Sequence, residues 1–277
     1  ISIFSEKMRN FFTTLVSETL RVREEKKIVR YDMLHLLMES RKGRLKYEED
    51  SVPEAGFAVV KESQFGKINK RLKLEITDEV ITAQVLAFFF AGFESISTML
   101  GFTIYELAVN PDIQDKLRHE IDITTKLADG GEFTYENLMS MKYLDMVISE
   151  ALRKWPPAHI VNRRSIRSFT IEAELPDEAQ LHLEKQSIIF CPIFSIHRDE
   201  KYYPNPEKFD PERFNEANGN KIHPYTYLPF GVGPRNCIAS RFALLEGKLL
   251  IAEIVKNFEI VPISRTQIPI ELSKTNF

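Results

Sequence analysis

The chain has 277 residues and a mass of 32.2 kDa, enough for one large domain or two ordinary ones whose core needs no disulfides. Hydrophobic residues make up 43% and charged residues 28%, which excludes a chain disordered from end to end. With 37 Lys and Arg against 40 Asp and Glu the net charge is −3, so no overall positive field draws the chain to nucleic acid; two cysteines without a C-x-x-C pair supply no zinc framework.

The first residues, ISIFSEKMRNFF, carry no initiator Met and no signal or transit pattern, and read as an internal cut. Apolar residues at helical spacing (Phe4, Met8, Phe11, Phe12, Leu15 and Val16, later Met33, Leu34, Leu37 and Met38) predict two helices within residues 4–39. Residues 40–74 are polar, basic and punctuated by Gly and Pro, the pattern of a connecting loop. Thr77 or Asp78 then caps a helix that runs without a breaker to Asn110, where Pro111 stops it. At 1.5 Å per residue it is roughly 50 Å long, and its apolar middle predicts passage through a core. Its most apolar stretch, Val80 to Phe93, is interrupted by Thr82 and Gln84 and falls short of the ~20 residues of a bilayer span, so no crossing is expected.

An amphipathic helix follows Pro111 and ends at Gly130-Gly131; a second enters at Thr134 and is stopped by Pro156-Pro157. From Arg167 the period drops to two. The runs Ser168–Glu172 and Ser187–Cys191 predict a small sheet. Residues 198–236 are dense in Pro, Asn, Gly and aromatics, which predicts a long ordered loop serving a site. A last helix covers the periodic run from Ala239 to Phe258, and EIVPI predicts a strand. The fold class is mainly α with small β-sheets.

Within FGVGPRNC, Cys237 lies before that last helix, where backbone N–H groups and the positive end of the dipole favour an anionic sulfur. Gly231 and Gly233 let the backbone turn tightly and approach a flat partner, while Arg235 can meet a carboxylate beside the sulfur. A lone cysteine is more often an inert buried side chain; the full spacing F-x-x-G-x-R-x-C reverses that preference. Cys191, before Pro192, reads as a buried small hydrophobe, and Arg167 as a strand-edge charge. His197-Arg198-Asp199 has the letters of a protein-kinase catalytic loop, but its asparagine spacing is wrong and the other kinase signatures do not follow. G-V-G-P-R-N lacks the third glycine of a dinucleotide fingerprint.

FGVGPRNC resembles the haem-binding loop of the cytochrome P-450 haem-thiolate monooxygenases. Glu150-Ala-Leu-Arg153 is similar to the E-x-x-R helix of that family, and Asp210-Pro-Glu-Arg213-Phe to its P-E-R-F segment, all in family order. Ala91-Gly92-Phe93-Glu94-Ser95 resembles the A-G-x-[DE]-T segment above the distal haem face, with serine in place of threonine. The likeness runs over nearly the whole chain and is strongest to insect microsomal members.

The resemblance implies the C-terminal half of the cytochrome P-450 fold, with residues 1–277 forming a partial haem-thiolate monooxygenase domain that lacks the N-terminal half and the final hairpin. Cys237 is implied as the iron ligand of haem b. Arg235 and Arg163 are implied to hold propionates, and Phe230, Gly231 and Ala91 to line the macrocycle. Glu94 and Ser95 are implied as proton-handling groups, with Gly92 letting the helix open locally. Glu150, Arg153 and Arg213 are implied as a structural trio. The implied reaction inserts one oxygen atom into a lipophilic small molecule, with NADPH acting through a reductase at the cytosolic face of the endoplasmic reticulum membrane. Two alternatives stand beside it: an inactive fragment, and a haem-thiolate enzyme that rearranges hydroperoxides without a reductase. For the isolated chain little or no turnover is expected. Ala239 and Gln186 stand where relatives often have glycine.

Overall fold

The computed structural model describes residues 5–44, 57–58, 75–127 and 131–273. It is mainly helical, with two small antiparallel sheets. Most of the connecting loop expected over residues 40–74 lies outside the described residues. The chain divides into two compact units, Ile1–Pro53 with Gly66–Glu94, and Glu54–Phe65 with Ser95–Phe277.

In the smaller unit, α1 (Glu6–Glu25) and α2 (Met33–Arg41) form where the spacing predicts them. Each starts at a polar cap: Ser5 accepts from the Met8 N–H and Asp32 from the His35 N–H. Asp32 also takes both forks of Arg23 at 2.7 Å, which pulls its carboxyl down to about 2. Val16, Leu20, Met38 and Ile81 close a small core.

Thr77 caps α3 (Asp78–Val109), accepting from the Val80 N–H, and the helix ends before Pro111 as expected. It is continuous through Gly92, so the local opening expected there is absent. Its apolar middle is not threaded through a core either. Phe89 is 52% and Phe93 66% exposed, and only 11% of its most apolar window is buried. Among the described residues α3 alone is long and apolar enough to cross a membrane, by length and composition, where the interrupted 80–93 run predicted no such segment. The sequence estimate stopped at Glu94, whereas the helix carries its apolar character past it to Val109.

The larger unit holds the main core, built by α4 (Pro111–Leu127), α5 (Tyr135–Ser140), α6 (Lys142–Lys154), α9 (Ser240–Asn257) and the second half of α3. Thr134 caps α5, but the single helix expected from there to Pro156 is broken at Met141, which is extended and buried. The cause is tertiary: both oxygens of Glu120 on α4 accept the Tyr143 and Leu144 N–H groups at 2.8 Å, so α6 receives its cap from another helix. Helix α9 approaches α3 closely, since a Cβ on Gly247 would lie 2.3 Å from the Met99 Cε. It is tied to α6 by an ion pair between the buried Lys248 and the part-buried Asp145, Nζ to Oδ1 at 2.8 Å.

The two β-runs predicted to pair with each other fall in separate sheets. Strand β1 (Val161–Arg164) pairs with β4 (Ile188–Cys191), and β2 (Phe169–Ile171) with β3 (Leu181–Leu183). Neither β1 nor β3 alternates apolar and polar residues inward and outward, because both are largely exposed. Gln186 turns the chain into β4 with φ +76, the left-handed conformation in which glycine is favoured. Ala239, with φ −107, needs no glycine. The long loop after α7 (Ile193–Ile196) contains two 3-10 turns, Pro211–Phe214 and Gly233–Arg235, and the one-turn α8 (Glu216–Gly219). EIVPI is not a strand: no described segment pairs with it. Cys191 is only half-buried, at the end of a two-stranded sheet too small to cover it.

Candidate functional site

Helix α6 carries the group that anchors the long loop. Glu150 and Arg153 are one turn apart, and both are fully buried. Arg153 meets Glu150 through two N–H groups at 2.7 and 2.9 Å, and its remaining donors reach the carbonyls of His197 at 2.8 Å and Pro206 at 2.7 Å. The Asp210 N–H adds a third donor to Glu150 at 2.8 Å, and Arg213 Nε lies 3.5 Å from the same carboxylate. Arg213 also donates to the Asn205 carbonyl. Burial pushes the Glu150 carboxyl up, against the pull of Arg153, Asp210 and Arg213. Both of its oxygens already accept from N–H donors, so a proton there would have nothing to donate to; the geometry suits the carboxylate.

Three aromatic residues extend this anchor toward the cysteine. Tyr227 donates to the Ser149 carbonyl on α6, and Tyr203 to the Thr226 carbonyl. His197, fully buried, faces the Arg153 carbonyl with Nδ1 at 3.1 Å and the Leu228 N–H with Nε2 at 2.8 Å. At the end of α6, Trp155 stacks on Phe102 with centroids 4.5 Å apart and donates to Glu106, which also pairs with Lys154 at 2.8 Å.

Beyond Leu228 the loop folds on itself. The Gly231 N–H donates to Leu228, the Asn236 N–H to Gly233, and the Cys237 N–H to the Phe230 carbonyl at 2.8 Å. The Cys237 N–H is therefore engaged within the loop rather than free at a helix end, and α9 begins three residues later, at Ser240. Gly231 and Gly233 have φ +71 and +77. A Cβ on Gly231 would stand 3.9 Å from the nearest atom, so space is available and the constraint is conformational. Gly231→Ala is expected to cost about 1–2 kcal/mol, read as a lower urea midpoint; an unchanged midpoint would show that the loop relaxes to negative φ.

Cys237 is half-buried. Its sequence neighbours Val232, Ile238 and Phe242 expose apolar surface, and Arg235 is exposed without an ion pair to any described residue. Phe230 is half-buried against the main core. Arg163 lies exposed on β1, where its guanidinium donates to the Asn162 carbonyl. Ala91 and Glu94 are exposed and belong to the smaller unit; Ser95 is half-buried and belongs to the larger one. The structure thus brings together Glu150, Arg153 and Arg213, and separately Phe230, Gly231 and Cys237. His197, Tyr203 and Tyr227, to which sequence reasoning gave no role at the site, connect the two groups. Their only signal was aromatic density in HRDEKYY and PYTYLPF.

Residues 5–277 match the family described as Cytochrome P450. Across all 277 residues the chain is 45% identical to Cytochrome P450 9e2 of Blattella germanica, covering 49% of that protein, and 39% identical to Probable cytochrome P450 9f2 of Drosophila melanogaster, again covering 49%. Over 99% of its length it is 37% identical to Cytochrome P450 3A13 of Mus musculus, covering 48% of it. The chain spans about half the length of these relatives. A buried carboxylate–guanidinium anchor, a glycine-turned cysteine loop and a family match over nearly the whole length agree: the chain belongs to the cytochrome P450 family.

Proposed function

We propose that the chain is part of a haem-thiolate monooxygenase acting on a lipophilic small molecule. The carrying observation is the Cys237 loop: a half-buried thiol beside two left-handed glycines, exposed apolar side chains and an arginine without a described partner. This set fits haem b. A soft sulfur suits iron, the apolar neighbours suit a porphyrin face, and the available guanidinium suits a propionate. Cys237 would hold the iron and Arg235 a propionate, with Phe230 and Gly231 lining the macrocycle; the family resemblance alone adds Arg163 as a second propionate partner.

When bound, haem supplies the activation of dioxygen: one oxygen atom enters a C–H bond and the other leaves as water, with two electrons from NADPH through a reductase and two protons. Glu94, exposed on α3, and the hydroxyl of Ser95 beside it in sequence would handle the protons that the reaction consumes. Without the threonine methyl, the Ser95 hydroxyl has a wider choice of rotamers. The buried Glu150–Arg153 pair, with Arg213, holds the loop so that the sulfur keeps one position. The substrate and redox partner are those of the whole protein, and the family relationship supports a place at the cytosolic face of the endoplasmic reticulum membrane.

The test is to load the chain with haem, reduce it, add carbon monoxide and record the difference spectrum. A thiolate-type Soret band that disappears in Cys237→Ser and survives in Cys191→Ser is expected. No haem uptake, or a band indifferent to Cys237, would sink the reading. Turnover with NADPH and reductase, compared with turnover of a hydroperoxide alone, separates oxygen insertion from peroxide rearrangement.

A further inference from the structure

The loop bearing Cys237 has two kinds of attachment. Tyr203 and Tyr227 each donate a hydroxyl to a backbone carbonyl, a bond that a rotated hydroxyl can make in several geometries. His197 differs, because both of its ring partners are backbone groups of fixed polarity. The Leu228 N–H can only donate, so Nε2 must be bare; the Arg153 carbonyl can only accept, so Nδ1 must carry the hydrogen. The backbone is locked too, since the Arg153 guanidinium donates to the His197 carbonyl at 2.8 Å. The ring is stacked against Tyr227, centroids 5.5 Å apart and planes at 24°, and no part of the residue is exposed.

We propose that His197 is the positioning residue for the Cys237 loop: held on α6 at Arg153, its imidazole receives the Leu228 N–H and so sets where the loop begins. The bond falls at a decisive residue. Leu228 uses its N–H on His197 and its carbonyl on the Gly231 N–H; Phe230, one residue before Gly231, receives the Cys237 N–H. A short run of hydrogen bonds therefore leads from the buried pair on α6 to the residue that carries the sulfur. Losing the imidazole acceptor leaves the Leu228 N–H buried without a partner and releases the loop start, while α6 and the Glu150–Arg153 pair keep their own bonds. The role of the sulfur as iron ligand rests on the functional reading above; the positioning of the loop does not.

Two substitutions separate the two ring bonds. In His197→Asn the amide nitrogen takes the place of Nδ1 and keeps the bond to Arg153, but nothing reaches Leu228. In His197→Gln the amide oxygen takes the place of Nε2 and keeps the acceptor for Leu228, while the bond to Arg153 is lost. The rate at which iodoacetamide alkylates Cys237 in the haem-free full chain, followed by mass spectrometry with Cys191 as internal control, reads loop opening directly. His197→Asn is expected to alkylate at Cys237 roughly tenfold faster than the parent, with Cys191 unchanged, and His197→Gln to stay within about twofold. In the haem-loaded chain His197→Asn is expected to convert the thiolate-type Soret band with carbon monoxide to the thiol type, and His197→Gln to retain it. Equal behaviour of the two variants, or a parallel rise at Cys191 and Cys237, overturns the proposal. A parent that takes up no haem overturns the functional reading instead, and the alkylation comparison still judges His197.

Discussion

Replacing Arg153 by methionine is expected to destabilise the chain by about 3–5 kcal/mol, seen as a large fall in the urea midpoint. The side chain is fully buried and serves three acceptors at once: the Glu150 carboxylate, the His197 carbonyl and the Pro206 carbonyl. Methionine fills much of the volume but leaves the carboxylate with only Arg213, 3.5 Å away, as a cation and two carbonyls without donors. The charge dominates, because a buried carboxylate that loses its bidentate partner must either stay poorly compensated or take up a proton. The double change Glu150→Gln with Arg153→Met removes both charges and is expected to recover at least half of the loss. A single-variant cost below about 1 kcal/mol, the value for an exposed pair, would show that water reaches Glu150 and that the trio does not anchor the loop.

The anchor was legible in sequence because its residues are close together on one helix. Glu150 and Arg153 are spaced for one face, and the Pro-Glu-Arg-Phe segment follows the same letters as its family counterpart. The helices were legible for a related reason: α1, α2, α4 and α9 bury one side, so their apolar residues recur at helical spacing. What failed depended on partners distant in the chain. The break at Met141 is made by Glu120, a residue of another helix, and nothing in NLMSMKYL announces it. Strand pairing failed because β1 and β4 are joined by hydrogen bonds alone across an exposed two-stranded ribbon, which leaves no hydrophobic period to read.

His197 illustrates the limit most clearly. Read as letters, HRD led only to a kinase loop that the rest of the chain contradicted. Its role rests on two backbone groups, 44 and 31 residues away, that carry no side-chain signature. A backbone N–H looks the same under every residue type except proline, so a side chain that bonds to backbone is invisible to pattern reading. The cysteine loop was the opposite case: Gly231 and Gly233 announce themselves because only glycine adopts their φ without strain.

The same burial makes His197 the source of a pH dependence. Its ring is pushed down from 6.5 to about 4, chiefly by loss of water, with the positive charges of Arg153 and Arg198 acting in the same direction and its backbone bonds at Arg153 and Leu152 opposing them. The other groups around it, Tyr203 and Tyr227, are both held above their usual range by burial and stay neutral throughout. Between pH 6.5 and 4 the unfolded chain therefore binds a proton at this residue that the folded chain refuses. Stability from His197 is complete above 6.5 and is lost as the pH falls toward 4, reaching roughly 3 kcal/mol over the whole window and about 2 kcal/mol between pH 7 and 5. Asp32 beside Arg23, Glu24 beside Lys42 and Glu212 beside Lys116 are held low by their basic partners in the parent and in a His197 variant alike. Urea unfolding of the parent and of His197→Gln at pH 7 and pH 5 isolates the effect, since every other group is shared. The parent is expected to lose about 2 kcal/mol more than the variant on going to pH 5; equal losses would mean that the imidazole accepts a proton in place, which the Leu228 N–H facing Nε2 forbids without moving the loop.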